Sequence, residues 1–151
     1  MSQRIAVNLP YAVAGFGEGS GLQMNFRKPP RVLVVEDEYF IADDLKKALD
    51  REGVIVVGPV ASESDALALL EDAPVDCAVL DVNLNGHKVY PLARTLRDHQ
   101  VPFLFVTGYD STDLETGFHD VGLIQKPFAP QDLVRRVQRL ISGGTDTVAS
   151  S

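Results

Sequence analysis

The sequence predicts an α/β protein: a five-stranded parallel sheet with helices on both faces. Two observations carry that expectation. Short β-branched runs alternate with amphipathic segments through residues 31–141, five times in succession. Such an alternation builds a parallel sheet whose two faces are covered by its own crossover helices. The chain of 151 residues is also long enough to bury roughly two-thirds of its unfolded surface around one core.

Each element has a local cause. Arg31–Val35, RVLVV, reads as a buried strand. Ile41, Leu45, Ala48 and Leu49 then share one helical face, and Asp43 and Lys47 pair outside it. Gly53 ends that helix. Val54–Val60 forms a second strand, broken near its end by Gly58-Pro59. Proline cannot donate a ladder hydrogen bond, so this strand is expected at a sheet edge. Ser62-Glu63-Ser64-Asp65 resembles a capping box before a helix carrying Ala66, Leu69 and Leu70.

The third strand is Cys77–Leu80, ending at Asp81. A loop through Gly86 leads to a helix with Val89, Leu92, Ala93 and Leu96. The fourth strand, Phe103–Val106, ends at Thr107. Thr112-x-x-Glu115 suits the cap of a short helix. The fifth strand, Val121–Gln125, ends at Lys126. Pro130 fits the first turn of a last helix, buried through Leu133, Val134, Val137, Leu140 and Ile141.

Composition narrows the function. Hydrophobic residues make up 45% and charged residues 23%, with a mean hydropathy of +0.02, values that fit a globular chain and not a disordered one. A net charge of −7 repels nucleic-acid phosphates. Cys77 is the sole cysteine, which excludes an internal disulfide framework. No apolar run reaches the roughly 18 residues of a membrane span, and no signal peptide is evident, so a cytoplasmic location is expected. Residues 1–30 are expected to form a flexible leader, rich in Gly15, Gly17, Gly19 and Gly21. No GxGxxG reading survives there, because Ser20 and Leu22 stand at the third-glycine positions. Residues 142–151 read as a disordered tail.

In parallel sheets, ligands bind beyond the carboxyl ends of the strands. The first strand ends in Glu36-Asp37-Glu38, the third in Asp81, the fourth in Thr107 and the fifth in Lys126. Clustered carboxylates resist joint ionisation, and a hard divalent cation such as Mg²⁺ relieves that repulsion. A carboxylate can also be a nucleophile toward phosphorus. Asp81 is thus the candidate acceptor, Asp37 and Glu36 the candidate metal holders, and Thr107 and Lys126 the candidate clamps on phosphoryl oxygens. Glu38 reads as an ordinary helix-terminal acid.

At these positions the chain resembles the receiver domain of two-component response regulators. VLVVEDE, VLDVNLNG, FVTGY and IQKPF stand in that family's order within residues 31–141. The resemblance implies a CheY-like, flavodoxin-like sheet of strand order 2-1-3-4-5. It implies that Asp81 takes a phosphoryl group from a phosphohistidine and that Mg²⁺ sits on Asp37, Asp81, the backbone carbonyl of Asn83 and nearby Glu36. It further implies that Lys126 bridges to the phosphate, that Thr107 is the switch, and that the Lys126-Pro127 bond is cis. PFLFVTGYD, KVYPLA and DVNLNG also resemble the FATGUY subgroup. Its partners imply a histidine kinase of the HWE or related type, or a histidine phosphotransfer protein, as donor.

Departures from the family pattern mark possible modulators. Asn85-Gly86 stands where most receivers have Pro-Gly, and Leu123 where many carry a switch aromatic. Tyr109, following Gly108, is placed to shield an acyl phosphate from water. Only ten residues follow Ile141, so a stand-alone receiver is expected. Its output would be a phosphorylation-dependent protein-binding surface, as monomer or phosphorylation-dependent dimer, or phosphate shuttling. The alternative enzyme is a haloacid-dehalogenase-like phosphohydrolase, but its second acid would be Asn83, which cannot act as general acid or base. A third alternative is a binding module that keeps only the fold. Cys77 reads as core, His87, His99 and His119 lack metal spacing, and Arg135, Arg136 and Arg139 read as a solvated helix face.

Overall fold

A computed structural model describes residues 28–108 and 114–143. The strands are β1 (Arg31–Val35), β2 (Ile55–Val60), β3 (Cys77–Asp81), β4 (Asn83–Leu84), β5 (His87–Lys88), β6 (Phe103–Thr107) and β7 (Leu123–Gln125). The helices are α1 (Tyr39–Arg51), α2 (Glu63–Asp72), α3 (Tyr90–Asp98) and α4 (Pro130–Ile141). The main sheet is parallel, in the order β2-β1-β3-β6-β7. With β4 and β5 set aside as a separate hairpin, this is the expected 2-1-3-4-5 arrangement.

Period-two alternation sorts the strands' side chains into two cores. On one face, Leu33, Val35, Ala78, Leu80, Phe103 and Phe105 pack under α2 and α3. On the other, Val32, Val34, Cys77, Val79, Leu104, Val106 and Ile124 pack under α1 and α4. The five positions expected to line α4 are all buried. In α1 the buried set is Ala42, Leu45, Ala48 and Leu49, with Ile41 half-buried at its margin. Asp43 and Lys47 pair at 3.0 Å, and Ser62 caps α2 by accepting the Asp65 N–H at 3.1 Å. Cys77 is buried in the core.

Several local expectations change. The edge strand β2 is not broken by Gly58-Pro59. It runs on to Val60 through a register shift opposite Leu33 and Val35, which absorbs the proline as a bulge does. Gly58 has φ +100°, and a Cβ there would lie 2.9 Å from the Val60 nitrogen and 3.0 Å from the Val34 oxygen. Pro30, placed in the leader, already accepts the Ile55 N–H at 2.8 Å. β7 begins at Leu123 and not Val121.

The expected loop through Gly86 is a β4–β5 hairpin with Leu84 opposite His87. Asn85 (φ +52°) and Gly86 (φ +89°) form its turn, the Asn-Gly pair that favours tight hairpins. No helix occurs at 114–122, where a short one was expected; the segment runs in turns. Its proposed cap Thr112, the leader 1–27 and the tail 144–151 lie outside the described residues.

Candidate functional site

The strand alternation that builds the two cores also decides where the strand-end residues point. Glu36, Asp81 and Lys126 continue the sequence parity of Val34, Val79 and Ile124, on the α1/α4 face. Thr107 continues that of Phe103 and Phe105, on the α2/α3 face. The structure accordingly gathers the first three residues into one ion cluster. Lys126 Nζ lies 3.1 Å from Asp81 Oδ2 and 3.1 Å from Glu36 Oε2. Glu36 and Asp81 are buried, and backbone bonds fix both ends of the cluster. The Glu36 N–H donates to the Val60 carbonyl at 2.9 Å and the Lys126 N–H to the Thr107 carbonyl at 2.8 Å.

Asp37 joins from the rim. One oxygen each from Glu36, Asp37 and Asp81 can be chosen so that all lie within 4.8 Å of one another. The hairpin tip steadies Asp37, whose Oδ2 accepts the Asn85 N–H at 2.9 Å. Asn83 is exposed beside the acids, and its N–H donates to Asp81 Oδ1 at 3.2 Å.

Thr107 is buried, with its hydroxyl 3.3 Å from the Gly108 carbonyl. Gly108 is exposed, and a Cβ there would meet nothing within 4 Å among the described residues. Leu123 is half-buried against the α2/α3 core, and its carbonyl accepts from Arg136 at 2.9 Å. Pro127 is exposed and follows a cis bond from Lys126. Tyr109 lies outside the described residues.

The electrostatics are those of crowded acids. Burial, then the Asp81 charge, pushes the Glu36 carboxyl up to about 8. Burial also raises Asp81, against the opposing pull of hydrogen bonding from Glu36 and of Lys126. Burial works against the Lys126 ammonium, but the charges of Glu36 and Asp81 and their hydrogen bonds prevail and its pKa is raised. Glu36 Oε1 is buried without a hydrogen-bond partner among the described residues. An orphaned buried acceptor beside two further carboxylates fits a hard cation held through oxygen.

Two contacts escaped the sequence reading. Glu38 Oε2 lies 3.5 Å from Lys126 Nζ, although its sequence context suggests only a helix end. The Asn85 bond to Asp37 also went unforeseen; the Asn-Gly turn signal could have placed a hairpin tip there, but not its partner.

A buried acid–lysine cluster at the carboxyl edge of a 2-1-3-4-5 parallel sheet defines a class of phosphoacceptor domains. The profile of the response regulator receiver domain matches residues 32–138, and the chain belongs to that family. Receivers are phosphoacceptors of two-component phosphorelay signalling, supplied by histidine kinases or phosphotransfer proteins.

The chain is similar to the aerobic respiration control protein ArcA of Escherichia coli, 33% identical over 119 residues, covering 75% of this chain and 49% of that protein. It is 29% identical over 118 residues to the transcriptional regulatory protein PdtaR of Mycobacterium tuberculosis, covering 76% and 58%. The chain spans about half the length of the first of these curated relatives. Among solved structures, SdrG from Sphingomonas melonis superposes with a TM-score of 0.66 at 35% identity, covering 75% of this chain and 96% of that one. A CheY-like receiver from Methanospirillum hungatei gives 0.69 at 26% identity, covering 77% and 96%. Among the described residues no helix is long and apolar enough to cross a membrane.

Proposed function

We propose that Asp81 is the phosphoacceptor of a Mg²⁺-dependent phosphorelay. The observation that carries this reading is the Lys126 ammonium, 3.1 Å from both Asp81 and Glu36 at the edge where parallel sheets bind ligands. Asp37, Asp81, the Asn83 carbonyl and Glu36 would hold the cation. When bound, it would neutralise charge on the transferring phosphoryl oxygens.

An Asp81 oxygen attacks phosphorus, the P–N bond of a donor phosphohistidine breaks, and imidazole leaves with the bonding pair. The product is an acyl phosphate. Lys126, already bonded to Asp81 Oδ2, then pairs with the new anionic oxygens. Thr107 supplies a hydroxyl from the neighbouring strand end and acts as the switch. Gly108, Tyr109, Leu123 and Pro127 modulate acyl-phosphate lifetime and switching.

The donor is a histidine kinase of the HWE or related type, or a histidine phosphotransfer protein. The likeness of Phe105-Val106-Thr107-Gly108-Tyr109 to the FATGUY stretch supports the former. The output is a protein target read through the phosphorylated surface.

Incubation with acetyl phosphate and Mg²⁺ should add one phosphoryl group by intact mass, and Asp81→Asn should abolish it. A phosphorylated Asp81→Asn protein would refute the assignment.

The acid cluster also predicts a pH dependence. Glu36 holds its proton up to about 8 in the fold against an ordinary value of 4.5. The native state therefore binds more protons than the unfolded chain across that window. Metal-free stability should fall as pH rises from about 4.5 through about 8. Mg²⁺ competes with the same proton, so its affinity should rise over the same window. Melting curves at several pH values, with and without Mg²⁺, check both trends; Glu36→Gln should flatten the metal-free slope.

A further inference from the structure

The Lys126 ammonium has three N–H donors and three carboxylates around it. Asp81 and Glu36 lie at 3.1 Å and Glu38 at 3.5 Å. The first two side chains are 4% and 2% exposed, whereas that of Glu38 is 59% exposed. The buried partners cannot leave without stranding a charge. Glu38 can turn into water at little cost. Its backbone, by contrast, is held. The Glu38 N–H donates to Glu36 Oε2 at 2.9 Å, and its carbonyl accepts the Ala42 N–H at 2.9 Å. One movable carboxylate is thereby tethered on the solvent side of the lysine.

Charge gives that position a consequence. Glu36, Asp37, Glu38 and Asp81 crowd four acidic side chains around the Lys126 ammonium, more acid than that cation can balance. A divalent cation on the acids would reduce the net negative charge without cancelling it. Phosphodonors are themselves anionic, and they approach from the exposed side.

We infer that Glu38 is an electrostatic gate on phosphoryl entry, a positioning residue that draws the Lys126 ammonium toward solvent and repels anionic donors at the mouth of the pocket. The inference rests on Asp81 being the acceptor. In the step it controls, an Asp81 oxygen bonds to phosphorus while the P–O bond of acetyl phosphate breaks and acetate leaves with the pair. Glu38 exchanges no atom or proton. Lys126 turns from Glu38 to the phosphoryl oxygens as the donor docks.

The test is the initial rate of phosphorylation against acetyl phosphate concentration, with Mg²⁺, followed by intact mass. Wild type, Glu38→Gln and Glu38→Lys are compared at low salt. Removing one charge near a doubly charged donor should lower the half-saturating donor concentration about three- to tenfold. Glu38→Lys should lower it further. The maximal rate should stay within about twofold, since the charge acts on donor binding and transition state alike. At about 1 M salt, where screening acts over about 3 Å, the variants should converge with wild type.

Unchanged half-saturation in both variants, or a difference that persists at high salt, overturns the gate while leaving Asp81 as acceptor. A wild-type chain that gains no phosphoryl group overturns the acceptor reading and the gate together.

Discussion

The two faces of the sheet solve one burial problem with different side chains. The α1/α4 face is almost wholly aliphatic, closed by two regular helices over Val32, Val34, Val79, Leu104 and Val106. The α2/α3 face must also bury the irregular segment 114–121, and it does so with rings. Tyr90 stacks on Phe118 at 5.3 Å between centroids, and Phe105 meets both edge-on at 6.0 and 5.7 Å. The outer surface of α3 then holds the segment down. Arg97 lies 4.9 Å over the Phe118 ring and donates to the Gly117 carbonyl. Arg94 pairs with Glu115 at 2.6 Å, and Tyr90 Oη accepts the Glu115 N–H at 3.1 Å.

The contrast teaches how a stretch without helical bonds is kept in place. A few large rings and cations supply contacts that a helix would spread over several aliphatic residues. The faces also divide the site. By strand parity the acid–lysine cluster caps the aliphatic face and Thr107 caps the aromatic one.

Substitutions should grade this contrast. Phe105→Ala removes the ring that touches both partners and should cost about 3–5 kcal/mol by chemical denaturation. Leu133→Ala, buried in the aliphatic core, should cost about 2–5 kcal/mol. If Leu133→Ala proves clearly the costlier, the rings are not what secures the α2/α3 face. Tyr90→Phe keeps the stack but removes the acceptor for Glu115. Its cost should be about 1 kcal/mol, with faster amide exchange at Glu115 as the local readout. Arg94→Ala should change stability by only about 0.5 kcal/mol or less, because both charges are exposed. A larger loss would mean the clasp, and not the ring stack, dominates.

Much of this was legible beforehand because it depends on local pattern. The β-branched runs located the strands, and the apolar stripes of α3 and α4 matched the observed burial. The Gly58-Pro59 signal placed β2 at the edge. Misreadings fell where local signals compete. A proline within a strand reads as a break, yet a register shift accommodates it. Thr112-x-x-Glu115 reads as a cap, yet Glu115 is engaged by α3 and its segment runs in turns. Tertiary contacts with rings outweighed a weak helix preference there.

The amino-acid order by itself determined which residues stand at the strand ends, and through period-two alternation which sheet face each one continues. Only the tertiary structure decided who meets whom. Lys126 and Glu36 are 90 residues apart, and the crossovers bring their strand ends to the same carboxyl edge of the sheet, where the side chains meet across the ends of β3 and β6. The Asn85 bond to Asp37 and the contact of Glu38 with Lys126 are likewise products of docking between distant segments. Local sequence sets backbone period and facing, but distance between remote charges is set by how the layers close on one another.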